Sequence, residues 1–216
     1  VLGGVVNEKG EILKTLREDT PKEGGSSVTK VIADVVLKLS QEFNIHTVGV
    51  AVPGYVSSDR QRVLGIPNIK DWDEFNLHDD LFKLLNFKVI VENDANAAAW
   101  AEYRFGAGKG ESNLIILTIG TGLGGGVVIN GELYRGANGT ASEFGHMRVV
   151  PDGIQCGCGI AGCFERYASG SGLMMHIEKL IAANPDRGKN LLSTIDLLKF
   201  SYDFFSCFKI DRKSVV

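Results

Sequence analysis

The sequence has neither a surplus of basic residues nor a long apolar run. Lys and Arg total 23 against 26 Asp and Glu, giving a formal net charge of -3, so nothing is left over to neutralise a phosphate backbone. No apolar run approaches the roughly 18 residues that cross a bilayer, and the chain starts without the basic segment of a secretion signal. These absences argue against nucleic acid and membranes as partners, and we expect a cytoplasmic protein.

Glycine is the residue type in clear excess, with 27 of 216 residues against a usual share of roughly 7%. Many backbone positions are therefore expected to need a positive φ or a close approach to a neighbour. Hydrophobic residues make up 44% and charged residues 23% of the chain, which predicts a globular protein with a real core rather than a disordered one. The length allows one large or two small domains, and we favour two.

The apolar periodicity alternates between strand and helix spacing, which is typical of an α/β protein. In the first half, the pattern predicts a hairpin within 1–13, a helix from Val28 capped by Ser26 or Ser27, a strand 46–53, a helix 77–85, a strand 88–91 and a helix from about Ala95 to Phe105. In the second half, it predicts strands 114–119 and 127–129, an Asn130-Gly131 turn with a third strand, and a helix 172–183. An aromatic cluster at 200–208 fits either an apolar helix or an altered chain end, and it receives no functional interpretation.

Three of the four cysteines lie close together, at Cys156, Cys158 and Cys163, with three glycines among them. The glycines let the backbone fold tightly enough for three thiolates to converge, and a fourth ligand would complete a tetrahedral zinc site. His146, ten residues upstream of the first cysteine, is the nearest candidate. The alternative is a set of reduced structural thiols or a disulfide, but disulfides are disfavoured in the cytoplasm and the first two cysteines are only two positions apart. Cys207 is expected to be a free thiol.

A glycine loop is predicted at residues 120–126. It matches the GxGxxG pattern, but it leads into a strand and a hairpin turn, whereas a dinucleotide fingerprint opens a helix. Successive backbone N–H groups with mixed-handed φ form an anion nest, and a threonine hydroxyl adds a donor, so we interpret the loop as a phosphate site between two strands. The alternative is a merely tight turn, for which two glycines would suffice. The candidate contacts are Gly120, Thr121, Gly122, Gly124 and Gly125.

Asp94 lies where the strand 88–91 meets the following helix, at the edge where an open α/β sheet places its ligands. Taken alone, an N-cap of the helix is the simpler explanation, since caps are common and contribute about 1 kcal/mol. However, Glu92, Asn93 and Asn96 add further polar side chains, more than capping requires. A carboxylate at this junction could accept a proton from a substrate hydroxyl as that hydroxyl attacks phosphorus.

Together these motifs resemble the ROK (repressor, ORF, kinase) family of bacterial sugar kinases and regulators, and most closely its glucokinases. The resemblance spans roughly residues 1–170, and the cysteine block with its upstream histidine is its most specific part. It rests on Pro53-Gly54, Pro67-Asn68, Glu92 to Asn96, Gly120 to Gly126, Glu143-Phe144-Gly145-His146, Cys156 to Gly159 and Gly162 to Glu165.

The resemblance implies an actin-like ATPase (ribonuclease H-like) fold with two α/β domains. It also implies transfer of a phosphoryl group from ATP, with Mg²⁺, to the 6-hydroxyl of a hexose, glucose being favoured. Asp94 matches the catalytic base of the family. The implied sugar ligands are Asn68, Asn93, Glu143, His146 and Glu165, and the implied ligands of a structural Zn²⁺ are His146, Cys156, Cys158 and Cys163.

These implied roles agree with the chemistry of the side chains. Planar amides and carboxylates recognise neighbouring hydroxyls by paired hydrogen bonds. Zinc would support substrate binding indirectly, by fixing the loop that carries His146 and Glu165. Relatives of this kind commonly form dimers or tetramers, so a homo-oligomer is expected.

The resemblance also implies that the sequence is truncated at both ends. Family members open with a strand and an Asp-x-Gly-Gly-Thr-Lys phosphate loop that would precede Val1, and they continue well beyond this chain. We therefore expect an N-terminal small α/β domain at residues 1–108, without its first strand and phosphate loop, and an incomplete C-terminal large α/β domain with the zinc site at residues 109–216. A missing phosphate loop would remove most of the phosphoryl-transfer rate.

Two alternatives to a glucose-type kinase stay open. ROK regulators share the zinc and sugar motifs but carry a DNA-binding segment ahead of the kinase-like part, and none is visible from Val1. The chain could also be a catalytically incomplete fragment that retains a sugar site without turnover.

Overall fold

The computed structural model describes residues 1–21, 23–66 and 74–185. Asn68, Cys207 and the aromatic cluster at 200–208 lie outside the described residues. Within the described ranges, no helix is both long and apolar enough to cross a membrane.

Single strands or short runs of strands are separated by helices along the described residues, as expected for a mixed α/β protein. The strands are β1 (Leu2–Val6), β2 (Ile12–Arg17), β3 (Thr47–Val52), β4 (Tyr55–Val56), β5 (Val63–Gly65), β6 (Lys88–Asn93), β7 (Leu114–Ile119), β8 (Leu123–Ile129) and β9 (Glu132–Tyr134). The α-helices are α1 (Gly25–Ser40), α2 (Leu77–Leu85), α3 (Asp94–Phe105), α4 (Glu165–Ala168) and α5 (Gly170–Ala183), and a 3-10 helix spans Phe144–His146.

The chain divides into two compact units. The first comprises Val1–Ile116 and Gly125–Ser142, and the second comprises Leu117–Gly124 and the described residues from Glu143 onward. Much of the segment that the sequence assigns to a second domain, residues 109–116 and 125–142, thus belongs to the first unit. The predicted boundary between residues 108 and 109 stays a prediction for the whole protein.

The first unit begins with the predicted hairpin, in which β1 and β2 pair antiparallel. Helix α1 follows and buries an apolar face that includes Val28, Val35 and Leu39. Gly24 occupies the cap position, and no side chain caps the helix. The predicted cap by Ser26 or Ser27 is wrong, because both serines lie inside the first turn.

A parallel pair of strands forms the centre of the first unit. Strands β3 and β6 run side by side in register, with Val52 next to Asn93 at their carboxyl ends. Helix α2 has the bounds that the sequence predicts, because buried leucines recur along one face at Leu77, Leu81 and Leu85. Helices α1 and α2 and strands β3 and β6 share one apolar core.

The glycine-rich segment is more strand than loop. Strand β8 starts at Leu123, so Gly124 and Gly125 lie inside a strand and only residues 120–122 connect β7 to β8. No residue in 120–126 has a positive φ, so the mixed-handed nest expected from the sequence is wrong. Gly126 is needed for a different reason: a Cβ there would lie 2.4 Å from the Cβ of Ala99 in α3.

The second unit is held together by short elements. Its 3-10 helix leads into a cysteine-containing segment, which returns to α4 through isolated bridges between Arg148 and Cys163 and between Gln155 and Ala161. Helix α5 begins where the Ser169 hydroxyl accepts a hydrogen bond from the Gly172 N–H at 3.1 Å.

Candidate functional site

The predicted catalytic carboxylate, Asp94, is the first residue of α3 and directly follows the last residue of β6. The Asn93 side chain caps α3, since its Oδ1 accepts the Asn96 N–H at 3.0 Å and its Nδ2 donates to the Gly54 carbonyl at 3.1 Å. The capping role considered for Asp94 therefore belongs to Asn93. Asp94 is exposed, and its Oδ1 accepts hydrogen bonds from the Ala95 N–H at 2.8 Å and from Asn93 Nδ2 at 3.3 Å. Its Oδ2 has no hydrogen-bond partner among the described residues.

A buried ion cluster is centred on Glu92, near the end of β6. Glu92 is 8% exposed, and its Oε2 accepts from Arg135 Nε at 2.8 Å and lies 3.5 Å from Arg60 Nε. Its Oε1 accepts the N–H of Asn93 at 3.2 Å. Burial lowers the pKa of Arg60, an effect that Glu92 opposes.

Sequence analysis missed both arginines as partners of Glu92. The signal that was available is the glutamate itself, because it ends an otherwise apolar strand, and a carboxylate buried there requires a cation.

Four predicted metal ligands converge in the second unit. The donor atoms of His146, Cys156, Cys158 and Cys163 all lie within 4.8 Å of one another. Cys156 Sγ is 3.7 Å from His146 Nδ1, and the Sγ atoms of Cys158 and Cys163 are 3.5 Å apart. A tetrahedral zinc ion with ordinary bond lengths needs sulfur–sulfur edges of about 3.8 Å and sulfur–nitrogen edges of about 3.5 Å. Three thiols and one imidazole at these distances fit a zinc ion.

The backbone around the cysteines explains their convergence. Gly159 and Gly162 have positive φ, at +90° and +86°, a conformation that other residues rarely adopt. A Cβ at Gly162 would also lie 1.7 Å from the Val150 carbonyl oxygen. Burial raises the pKa of the Cys163 thiol to about 12, whereas a backbone hydrogen bond from Ile160 lowers that of Cys158.

Three predicted sugar ligands also lie in the second unit. His146 ends the 3-10 helix, and Glu143 directly precedes that helix. Glu165 begins α4 two residues after Cys163, and its Oε2 accepts the Leu123 N–H at 2.9 Å. The structure therefore brings Glu165 together with the glycine-rich segment, which the sequence did not suggest. Asn93 belongs to the first unit, and Asn68 lies outside the described residues.

A sequence model of the ROK family matches residues 1–199. The chain belongs to the ROK family. Kinases of this family have the actin-like ATPase fold, so the predicted fold class is confirmed.

Individual relatives include both enzymes and regulators. The ROK chain is 45% identical to the glucokinase of Streptomyces coelicolor over 91% of its own length and 61% of that protein. It is 35% identical to the xylose repressor of Bacillus subtilis over 76% of its own length and 42% of that protein.

A solved structure supports the same relationship. A ROK family glucokinase from Streptomyces griseus, in complex with glucose and AMPPNP, superposes with a TM-score of 0.77 at 46% identity, covering 88% of this chain and 61% of that one. The chain thus spans 61% of the length of either Streptomyces glucokinase.

Proposed function

We propose that this ROK chain is part of an ATP-dependent glucokinase that phosphorylates glucose at its 6-hydroxyl, yielding glucose 6-phosphate and ADP. The observation that carries the proposal is that Asn93 and Asp94 have different roles at the start of α3. Asn93 caps the helix, which leaves the Asp94 carboxylate exposed with Oδ2 free of hydrogen bonds to described residues. Similarity to glucokinases, one of them bound to glucose and an ATP analogue, supports the choice of substrates.

Asp94 acts as the general base in this proposal. Hydrogen bonds from Ala95 and Asn93 hold its Oδ1, so the orientation of the carboxylate is set before substrate arrives. Its Oδ2 would accept the proton of the 6-hydroxyl as that oxygen attacks the γ-phosphorus of ATP. The remaining requirements of phosphoryl transfer are alignment and charge neutralisation.

The proposed sugar ligands are Asn68, Asn93, Glu143, His146 and Glu165. His146 directs its Nδ1 towards the Cys156 thiol, which leaves Nε2 to bind a hydroxyl. Glu165 uses Oε2 on a backbone amide, which leaves Oε1. A set of amide, carboxylate and imidazole groups selects substrates by requiring each hydroxyl, since a missing one leaves a polar group unpaired.

The proposed nucleotide contacts are Gly120, Thr121, Gly122, Gly124 and Gly125. Since residues 120–126 have no left-handed backbone, the phosphate would be held by the amides of Thr121 and Gly122 and by the Thr121 hydroxyl instead of a nest, because the Gly120 amide donates to the Gly122 carbonyl.

Two metals belong to the proposal. His146, Cys156, Cys158 and Cys163 would hold a structural Zn²⁺, which cross-links the cysteine segment to the 3-10 helix. This is the one group of three or more potential His, Cys, Asp or Glu ligands in the described ranges. Mg²⁺ would therefore be bound largely through the phosphates of ATP, as is usual for this ion.

A sugar-sensing regulator is the second candidate, and the similarity to the Bacillus subtilis xylose repressor favours it. A regulator would bind sugar through the same side chains but would produce no ADP. A cytoplasmic location and a dimeric or tetrameric assembly complete the proposal as predictions.

The test is a coupled assay of ADP formation in the whole protein with glucose, N-acetylmannosamine, fructose and allose. We expect ADP release that depends on glucose and is weaker with the other sugars. Glucose binding in a calorimeter without ADP release from any sugar would instead support the regulator.

A further inference from the structure

Glu165 connects two parts of the second unit that are far apart in sequence. Its Oε2 accepts the N–H of Leu123, 42 residues earlier, at 2.9 Å. Two backbone hydrogen bonds reinforce the same connection, from the Gly170 N–H to the Gly120 carbonyl at 2.8 Å and from the Ser171 N–H to the Thr121 carbonyl at 3.1 Å. The start of α5 and the first residue of α4 thus hold the connection between β7 and β8.

The fit at this connection is tight on both sides. A Cβ at Gly122 would lie 2.6 Å from Glu165 Oε2, and a Cβ at Gly145 would lie 2.1 Å from the Leu123 carbonyl oxygen. Leu123 itself is 6% exposed, so its amide has little access to water as an alternative partner. The loop geometry consequently depends on where Glu165 and the 3-10 helix stand.

Both Glu165 and the 3-10 helix are joined to the metal-ligand cluster formed by His146, Cys156, Cys158 and Cys163. Cys163 precedes Glu165 by two residues, and its backbone carbonyl accepts the Arg166 N–H of α4 at 3.0 Å. His146 follows Gly145 directly. Two of the four side chains that would bind zinc, those of Cys163 and His146, therefore lie next to α4 and within the 3-10 helix, the two elements that hold Leu123 in place.

We propose that Glu165 is a positioning residue that couples the metal-ligand cluster to the segment 120–123. When His146 and the three cysteines hold zinc, α4 is fixed and Glu165 Oε2 keeps the Leu123 amide and the preceding loop in one arrangement. When the metal is removed, α4 is released, the hydrogen bond is lost and the loop becomes mobile.

The functional consequence rests on the proposed function. The segment 120–122 would contact phosphate, and the second oxygen of Glu165, which has no hydrogen bond to described residues, would bind a sugar hydroxyl. One carboxylate would then serve both substrates, so sugar binding would stabilise the loop that receives the nucleotide.

The experiment measures amide hydrogen exchange of the whole chain, zinc-loaded and after chelation, in the wild type, Glu165→Ala and Glu165→Gln. We expect exchange at Leu123 to be at least about tenfold faster in Glu165→Ala, because a hydrogen bond to a charged acceptor is lost. Glu165→Gln retains a carbonyl oxygen and is expected to keep most of the protection. Chelation is expected to accelerate amide exchange at Leu123 in the wild type but to cause no further acceleration in Glu165→Ala.

Two alanine substitutions provide a matched pair that leaves Glu165 in place. Gly122→Ala puts a methyl group against the Glu165 carboxylate and is expected to accelerate exchange at Leu123. Gly120→Ala adds the same methyl group where nothing lies within 4 Å, and exchange at Leu123 should stay slow. Amides of α5 serve as the folding control, and slow exchange there identifies variants that remain folded.

Unchanged exchange at Leu123 in folded Glu165→Ala would overturn the coupling, as would additive effects of chelation and substitution. Should Glu165→Ala unfold, equal exchange rates in Gly122→Ala and Gly120→Ala would overturn it too. The measurement needs no sugar, nucleotide or turnover. A protein without glucokinase activity that shows this exchange pattern would keep the coupling and refute only the proposed function.

Discussion

Glu92 is a buried carboxylate whose two oxygens both need polar partners. Two arginines share its Oε2, and the Asn93 amide occupies its Oε1. Removing one partner from a buried ion cluster leaves uncompensated charge and is strongly destabilising. Because Glu92 lies directly before Asn93 and Asp94, the same cluster supports the junction of β6 and α3, where the proposed base lies.

The substitution Glu92→Gln should lower the free energy of unfolding by about 2 to 3 kcal/mol. This is less than for a fully buried pair, because the two arginine side chains are 35% and 30% exposed. Urea unfolding measures the change, and Glu132→Gln, an exposed glutamate in β9, is the control with an expected change near zero. Equal effects of the two substitutions would contradict the assigned environment of Glu92.

Glycine in β8 is required by close packing. The substitution Gly126→Ala would place its Cβ 2.4 Å from the Cβ of Ala99 and 3.2 Å from the Ala95 carbonyl oxygen. Overpacking of this kind costs about 1 to 3 kcal/mol, whereas Gly49→Ala in β3 adds a methyl group with nothing within 4 Å. In thermal unfolding we expect Gly126→Ala to have a clearly lower unfolding temperature than Gly49→Ala. A Gly126→Ala protein as stable as the wild type would show that α3 does not pack so closely against β8.

Among the elements, the ion pair between Lys38 of α1 and Glu18, which follows β2, has a defined pH dependence. Lys38 Nζ donates to Glu18 Oε1 at 2.6 Å, and this bond lowers the pKa of Glu18 below its usual value of 4.5. A lowered pKa in the folded state contributes stability above the unfolded-state pKa and loses it as the pH falls through the folded-state value. The contribution is therefore present at neutral pH and absent in acid.

The substitution Glu18→Gln should lower the unfolding temperature slightly at pH 7 and by less at pH 3. The effect is small because both side chains are exposed to water. Thermal unfolding at the two pH values measures it. The same difference at both pH values would mean that the carboxylate charge is not responsible.

The cysteine segment is the element whose structure depends most directly on a ligand. We expect one equivalent of zinc per chain by elemental mass spectrometry, lost in Cys158→Ser and retained in Cys207→Ser. Loss of zinc should also lower the stability of the second unit, because metal binding and folding are coupled in such sites. A folded wild-type protein without bound metal would refute the zinc assignment.

Element bounds could be predicted where the local signal was complete. Helix α2 has apolar spacing at Leu77, Leu81 and Leu85, with Asn76 as a side-chain cap and Asn86 as a left-handed end, and its bounds agree with the prediction. In α1 the serines provide the expected cap chemistry but lie two and three residues after the cap position at Gly24. In β8 the run of glycines suggests a loop, although packing against α3 keeps this segment extended.

For the whole molecule, the outcome of sequence analysis depended on whether the partners of a site lie close together in the chain. The metal ligands lie within 18 residues of one another, and the structure brings them together. The partners of Glu92 lie far from it, with Arg135 separated by 43 residues, and the hydrogen bond from Leu123 to Glu165 spans 42. No local pattern predicts such pairs, because they depend on how the strands are ordered in space.

The central claim is that Asp94 accepts the proton of the attacking hydroxyl, and the kcat of Asp94→Asn in the whole protein tests it most directly. We predict that glucose-dependent ADP formation falls by a factor of about 10² to 10⁴, with a nearly unchanged KM for glucose. Asp80→Asn changes a half-exposed carboxylate in the first turn of α2 whose partner is Lys83 on the surface, and it should retain full activity and similar stability. An Asp94→Asn protein that forms ADP at the wild-type rate would contradict the account.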